Sequence, residues 1–154
     1  ILYKTDSKPS REIKPNESHH WFDVLIHDLK KGLNAPEIRK IERENFVFTP
    51  IYFDYDKAEI LPEFYDFLNS MLKIVEGHSD LRIKVIGHTD ADGSDAYNNA
   101  LSKRRAEAII DYFVKRGLNR DRLEIDFRGE KEPVDSNSTP EGKQKNRRVD
   151  FSFI

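Results

Sequence analysis

The feature that most restricts the fold of this chain is a strand, a polar turn and a long helix in direct succession over residues 81–116. Apolar and charged side chains alternate over residues 81–86, which predicts a strand with one buried face. Between Tyr97 and Tyr112, apolar side chains recur every three or four residues, which predicts one buried face of a helix. The polar turn between them is therefore held by two buried elements.

Arg105 lies in the middle of the apolar helix face, four residues after Leu101 and four before Ile109. A guanidinium in apolar surroundings is costly unless it is paired, and its pKa is too high for it to become neutral. The helix therefore carries a fixed positive charge towards the turn that contains Asp90 and Asp92. Asp90 could pair with Arg105 as a structural bridge, or the two could bind a ligand. Replacing an unpaired buried Arg105 by Ala would even stabilise the domain.

Strands and helices are predicted to alternate along most of the chain. The predicted strands cover residues 46–53, 81–86, 123–127 and 149–153, and the predicted helices start near residues 62, 95 and 141. Gly77 and Gly117 follow the first two helices, where glycine is typical of a helix end. This order predicts an α/β (α+β) sandwich with helices packed on a mixed four-stranded sheet.

Two acidic turns follow predicted strands, at residues 54–57 and 90–95. In sheets of this kind, ligands bind beyond the C-terminal ends of the strands. We therefore expect a ligand site where these turns meet.

Residues 1–44 differ from the remainder and are predicted to be a linker or the tail of a preceding module, before a domain at 45–154. Residues 4–18 are charged and contain two prolines, and residues 36–44 predict one or two helical turns. Residues 21–29 fit a strand and a helix equally well. The chain begins with Ile, so we expect it to be a piece of a longer protein.

The composition excludes several classes of function. The net charge of −2 provides no overall field that would attract nucleic acid. No stretch approaches the ~20 apolar residues of a membrane-spanning helix, so no transmembrane segment is expected. The chain has no cysteine, which excludes disulfides and thiolate chemistry.

Four motifs occur in order: Phe-Asp-Tyr-Asp-Lys at 53–57, Gly-His-Thr-Asp at 87–90, Tyr-Asn-x-x-Leu-Ser-x-x-Arg-Ala at 97–106, and Asn-Arg-Arg-Val at 146–149. Together they resemble the OmpA-like peptidoglycan-binding domain, which is shared by outer-membrane protein A, the lipoprotein Pal and the flagellar stator protein MotB. The resemblance covers residues 45–154. It implies a domain without catalytic activity or cofactor that holds the cell wall from the periplasm, next to the outer membrane.

The ligand implied by the resemblance is the diaminopimelate residue of the peptidoglycan stem peptide. In this family an Asp at the position of Asp90 accepts hydrogen bonds from the side-chain ammonium, and an Arg at the position of Arg105 binds the carboxylate. The resemblance implies further pocket residues: Asn98, Asp54, Tyr55, Thr89 and Leu101. It implies a supporting role for Asn146, Arg147 and Arg148.

Elementary chemistry agrees with such a ligand, because a zwitterion is recognised by one fixed anion and one fixed cation. Arginine suits a carboxylate, since two parallel N–H donors match its two oxygens. We expect Asp90→Ala and Arg105→Ala each to abolish wall binding while the fold remains intact.

Other interpretations remain open from the sequence. The fold could serve as an adaptor between proteins without wall binding, and residues 1–44 could contact other envelope proteins. Paired carboxylates such as Asp54 and Asp56 could indicate a glycosidase acting on the sugar strand of the wall. His88 could act as a general base, but no nucleophile motif supports this interpretation. The acidic residues could bind calcium, but they do not have the spacing of an EF-hand. No metal is expected.

Overall fold

A computed structural model of the chain describes residues 35–154. The segments predicted at 4–18 and 21–29 lie outside these residues. The described chain divides into two compact units, one formed by residues 35–47 and 63–79 and the other by residues 48–62 and 80–154.

The first unit contains two α-helices. Helix α1 (Ala35–Asn45) has 11 residues and is longer than the one or two turns that its sequence predicted. Helix α2 (Tyr65–Glu76) follows a short 3-10 helix, Pro62–Phe64, and ends at Gly77, whose N–H donates to Lys73 O at 3.0 Å. The buried apolar side chains of α2 are Phe67, Leu68, Met71, Leu72, Ile74 and Val75.

The second unit is built on a mixed sheet in the order β1-β4-β2-β3. Strand β4 is antiparallel to both of its neighbours, whereas β2 and β3 are parallel. The strands are β1 (Ile51–Tyr52), β2 (Ile83–Gly87), β3 (Leu123–Phe127) and β4 (Arg148–Phe153). The predicted mixed four-stranded sheet and the alternation of strands with helices are confirmed.

The prediction of a first strand over residues 46–53 is wrong for most of its length. Phe46 directly follows α1, donates its N–H to Glu42 O at 3.2 Å and stacks on Phe67 with 5.8 Å between ring centroids. Pro50 has no N–H to donate to a ladder, so pairing starts only at Ile51. Alternating aromatic residues before a proline therefore indicated buried side chains but not a strand.

Helix α3 (Asp95–Lys115) packs against β2 and β3. It confirms the helix predicted after the acidic turn at residues 90–95, which we call the central turn. Ser94 caps its start, with Oγ accepting a hydrogen bond from the Tyr97 N–H at 3.1 Å. The helix approaches β2 closely at Gly87, where an added Cβ would lie 2.0 Å from the Ser102 carbonyl oxygen. Glycine at the end of β2 therefore permits this packing distance.

Helix α4 (Pro140–Asn146) precedes β4, and a 3-10 helix, Arg120–Arg122, precedes β3. Thr139 caps α4 by accepting from the Gly142 N–H at 3.0 Å. Proline at the first helical position fits, because that residue has no intrahelical N–H bond to make.

The topology brings several strand ends to one edge of the sheet. Because β1 and β2 are both antiparallel to β4, they run in the same direction, and β3 runs with them. The C-terminal ends of β1, β2 and β3 therefore meet the N-terminal end of β4. The edge carries residues 54–57, residues 88–90 and Arg147.

Among the described residues, no helix is both long and apolar enough to cross a membrane.

We predict that Gly87→Ala lowers the free energy of unfolding by about 1–3 kcal/mol, because the new methyl group would collide with backbone of α3. Chemical denaturation followed by circular dichroism measures this change. The control is Gly77→Ala, where φ is −79° and the nearest atom to a Cβ would be 3.4 Å away. Equal stability of Gly87→Ala and the parent would contradict the packing described for Gly87.

Candidate functional site

The side chain of Arg105 is fully buried between α3 and the sheet edge, with 0% of it exposed. It donates three hydrogen bonds to backbone carbonyls: Nε to Lys57 O at 2.8 Å, Nη1 to His88 O at 3.0 Å and Nη2 to Asp54 O at 3.2 Å. The Phe53 ring lies 5.3 Å from the guanidinium carbon. Arg105 thus joins α3 to the turns that follow β1 and β2.

These contacts replace the direct Asp90–Arg105 bridge that the sequence left open. They also reverse the expectation that Arg105→Ala would stabilise the domain. Removal of the side chain would leave three carbonyls of the turns without their donor, and a buried unsatisfied polar group costs free energy.

The charge of Arg105 is influenced by its neighbours. Burial lowers the pKa of Arg105 to about 10, nearby Asp90 opposes this shift, and the positive Arg147 adds to it. The guanidinium remains protonated at neutral pH. The site therefore holds a permanent buried cation next to a second one.

Asp90 pairs with Arg147, and both side chains are largely buried, with 6% and 11% exposed. Arg147 Nη1 lies 3.2 Å from Asp90 Oδ2, and Asp90 Oδ1 accepts from the Asp92 N–H at 3.0 Å. Arg147 also donates from Nε to Phe53 O at 3.0 Å and from Nη2 to Gln144 Oε1. The carboxylate is thus fixed by one cation and by its own turn.

The resemblance implied a supporting role for Arg147, and its contact with Asp90 was not predicted. The residues are far apart in the chain, and β4 begins directly after Arg147 beside the end of β2. The antiparallel pairing of these strands was the missing information.

Thr89, Asn98 and Leu101 are buried around the same turn, with 2%, 1% and 4% exposed. Asn98 Nδ2 donates to Glu130 Oε1 at 3.2 Å, a partner that sequence reasoning did not single out. Thr89 Oγ1 and Asn98 Oδ1 have no hydrogen-bond partner among the described residues. The described residues therefore leave these two buried oxygens unsatisfied.

The turn at 54–57 presents its side chains to solvent, while two of its carbonyls accept from Arg105. Asp56 adopts a positive φ of 57°, which is uncommon outside glycine. The hydroxyl of Tyr97, in the first turn of α3, donates to Asp56 Oδ1. All seven predicted pocket residues therefore lie on the two turns and the helix that Arg105 joins.

Asn146 holds the loop that faces the central turn. Its Oδ1 accepts from the N–H groups of Val134 and Asp135 at 2.8 and 3.1 Å, and Nδ2 donates to Asn137 Oδ1 at 2.9 Å. Asn137 Oδ1 also accepts from the Ala91 N–H at 3.2 Å. The loop is thereby connected to the residue that follows Asp90.

His88 and Arg148 lie together at Asp150. His88 Nε2 is 3.1 Å from Asp150 Oδ2, Arg148 Nε is 3.2 Å from both carboxylate oxygens, and Arg148 Nη2 donates to Glu132 O at 3.0 Å. Burial alone would raise the pKa of the Asp150 carboxyl, but His88 and Arg148 lower it below its ordinary value. This cluster links the start of β4 to the strand end that precedes Asp90.

Within residues 35–154, no group of three or more His, Asp or Glu side chains is arranged to hold a metal ion.

A model of the OmpA family matches residues 52–147 of the chain. Peptidoglycan-binding protein ArfA of Mycobacterium tuberculosis is 40% identical over 102 residues, which cover 66% of this chain and 31% of that protein. Outer membrane protein A of Bordetella avium is 34% identical over 103 residues, which cover 67% of this chain and 53% of that protein. The chain thus spans about a third of the first relative and about half of the second.

Solved structures share the fold. The peptidoglycan-associated lipoprotein from Burkholderia pseudomallei has a TM-score of 0.66 and 27% identity, over 68% of this chain and 89% of that one. The cell wall anchor of the T6SS from Pseudomonas aeruginosa has a TM-score of 0.54 and 27% identity, over 64% of this chain and 71% of that one. The C-terminal domain of Helicobacter pylori MotB, with a TM-score of 0.61 and 24% identity over 69% of this chain and 84% of that one, shows the fold alone.

We predict that Arg105→Ala destabilises the protein by more than about 2 kcal/mol, because one buried and two partly buried carbonyls lose their donor. Urea denaturation measures the change, and Arg104→Ala, at the exposed neighbouring position, is the control. A variant as stable as the parent would show that these hydrogen bonds do not hold the two turns.

We predict that Asp150→Asn lowers stability by roughly 0.5–1 kcal/mol at neutral pH, a modest value because the side chain is partly exposed. The folded-state pKa of Asp150 lies below the unfolded value of 3.8. The contribution is therefore present above about pH 4 and is lost as the pH falls through the folded-state pKa.

Thermal melting of parent and variant between pH 2.5 and 7 tests this, with Asp111→Asn on the exposed side of α3 as the control. If the difference in melting temperature between the parent and Asp150→Asn persisted unchanged at the lowest pH, the stability contribution would not come from the charge of Asp150.

Proposed function

Since the chain belongs to the OmpA family, we propose that it binds peptidoglycan non-covalently and anchors an outer-membrane protein or envelope complex to the cell wall. Two similar proteins carry names that support this function, the peptidoglycan-binding protein ArfA and the peptidoglycan-associated lipoprotein. The observation that carries the proposal is the near-buried carboxylate of Asp90 between the strand ends, with two guanidinium groups beside it.

The proposed ligand is the diaminopimelate residue of the stem peptide, whose side chain ends in an ammonium and a carboxylate. Asp90 uses one lone pair on each oxygen for Asp92 and Arg147, and an ionised carboxylate has about four acceptor sites. It therefore retains capacity for an ammonium group. Thr89 Oγ1 and Asn98 Oδ1 supply further oxygens at the same turn.

The proposed partner of the ligand carboxylate is Arg105. Three of its N–H groups donate to backbone carbonyls, and an arginine side chain has five N–H groups. Because the side chain is fully covered, we expect the exposed turn at 54–57 to shift when a carboxylate reaches it. Arg147 is more exposed than Arg105 and contacts the Asp90 carboxylate. It therefore adds positive charge that also attracts the ligand carboxylate.

The proposed activity is binding without catalysis, in the periplasm and in association with the outer membrane. Residues 1–44 remain, as a proposal, a linker or the tail of a preceding module that could contact other envelope proteins. The family match, which begins at residue 52, is compatible with that division.

We predict that Asp90→Asn reduces binding to peptidoglycan at least about tenfold, because the amide keeps the size of the side chain but removes the charge that an ammonium requires. Sedimentation of the purified protein with isolated sacculi, across a range of sacculus concentrations, measures binding. Asp111→Asn makes the same charge change on the exposed side of α3 and should bind like the parent.

Three results would count against the proposal. If the parent protein stayed in the supernatant at all sacculus concentrations, wall binding would be refuted and an adaptor role between proteins would be favoured. Release of soluble fragments from the sacculi would instead indicate a hydrolase. If Asp90→Asn sedimented like the parent, the wall would be bound elsewhere on the molecule.

A further inference from the structure

Two exposed tyrosines lie at the border of the site. Tyr55 is 60% exposed on the turn after β1, and Tyr97 is 42% exposed in the first turn of α3. Both are connected to residues of the site, because the Tyr97 hydroxyl donates to Asp56 and the Tyr55 ring lies 6.0 Å from the Arg147 guanidinium carbon. We call Tyr55 and Tyr97 the tyrosine rim.

The ring of Tyr97 is held on several sides. Its hydroxyl is tied to the turn at 54–57, and the Arg104 guanidinium carbon lies 5.9 Å from the ring centroid. A Cβ at Gly93 would be only 3.3 Å from the ring atom Cδ1, so the central turn contacts the ring edge. A large apolar surface is therefore kept in a fixed position while it remains open to solvent, which favours binding because little side-chain entropy is lost.

From this arrangement we infer that the tyrosine rim binds a sugar ring of the glycan strand, as a second subsite beside the peptide pocket. The inference rests on the proposed function, because it extends the ligand from the stem peptide to the sugar that carries it. A pyranose has a flat face of C–H groups, which packs on an aromatic ring, and hydroxyl groups at its edge. The carboxylate of Asp56 and the guanidinium of Arg104 border the rim and suit those polar groups.

The reach of the ligand agrees with this position. Two residues of the stem peptide separate diaminopimelate from the sugar, and each residue spans at most about 3.6 Å. The distance between the pocket and the sugar is therefore limited to roughly the length of a few residues. Arg147 Nη1 lies 3.2 Å from Asp90 Oδ2, and the Arg147 guanidinium carbon lies 6.0 Å from the centroid of the Tyr55 ring. The pocket and the tyrosine rim are therefore neighbours on this length scale.

The test compares two probes by isothermal titration calorimetry: a disaccharide-tripeptide that contains diaminopimelate and the same tripeptide without sugar. The parent protein should bind the sugar-bearing probe about three- to tenfold more tightly. Tyr97→Leu and Tyr55→Leu should each reduce this advantage, and the double variant should remove it. Tyr97→Leu should keep the parent's affinity for the sugar-free tripeptide within about twofold, because Asp90 and Arg105 remain. Tyr55→Leu and the double variant are judged on the ratio of the two affinities, because Tyr55 also belongs to the proposed peptide pocket.

Two controls separate the ring from other effects. Tyr97→Phe removes only the hydroxyl that donates to Asp56, so it should keep most of the sugar-dependent advantage. Phe127→Leu removes another exposed ring, 39% exposed with Lys103 beside it, and should leave both affinities unchanged.

The outcomes distinguish the inference from the proposed function. Equal affinity of the parent for the two probes, or a sugar-dependent advantage that survives in the double variant, would overturn the tyrosine rim as a sugar subsite while peptide binding stands. Binding of neither probe by the parent would overturn both.

Discussion

The three hydrogen bonds of Arg105 are the interactions on which the rest of the site depends. A single buried side chain on α3 satisfies carbonyls at residues 54, 57 and 88, which belong to turns after two different strands. The alternative for each carbonyl is burial without a donor, which is costly in a low-dielectric interior. The guanidinium therefore fixes the backbone of both turns and thereby positions the side chains that the turns carry.

The second constraint is the pairing of charges at the sheet edge. Asp90 is matched by Arg147 from the start of β4, while Arg105 lies fully buried nearby with its pKa lowered by burial. Two permanent cations beside one fixed carboxylate leave a local excess of positive charge. In the proposed function, a zwitterionic group places its carboxylate towards the arginines and its ammonium towards Asp90, so that each end meets the opposite charge.

Much of the fold followed from hydrophobic periodicity. The strands β2, β3 and β4 and the helices α2 and α3 were predicted, because burial on one side of an element imposes a spacing of two or of three to four residues. The first strand was not predicted correctly. Phe46 and Phe48 alternate like strand residues, but Phe46 stacks on Phe67 and Phe48 packs edge-on against Phe153, so both rings are placed by tertiary contacts and not by a strand ladder.

Local spacing along the chain was enough to place Arg105 on an inward face and acidic turns after strands. The partners of these groups depend instead on how the chain folds. Arg105 bonds to backbone carbonyls, which carry no signature in the sequence, and Asp90 pairs with Arg147 because β4 lies antiparallel beside β2. The order of strands in a sheet is a long-range property, so side chains that meet across it are fixed only when the chain has folded.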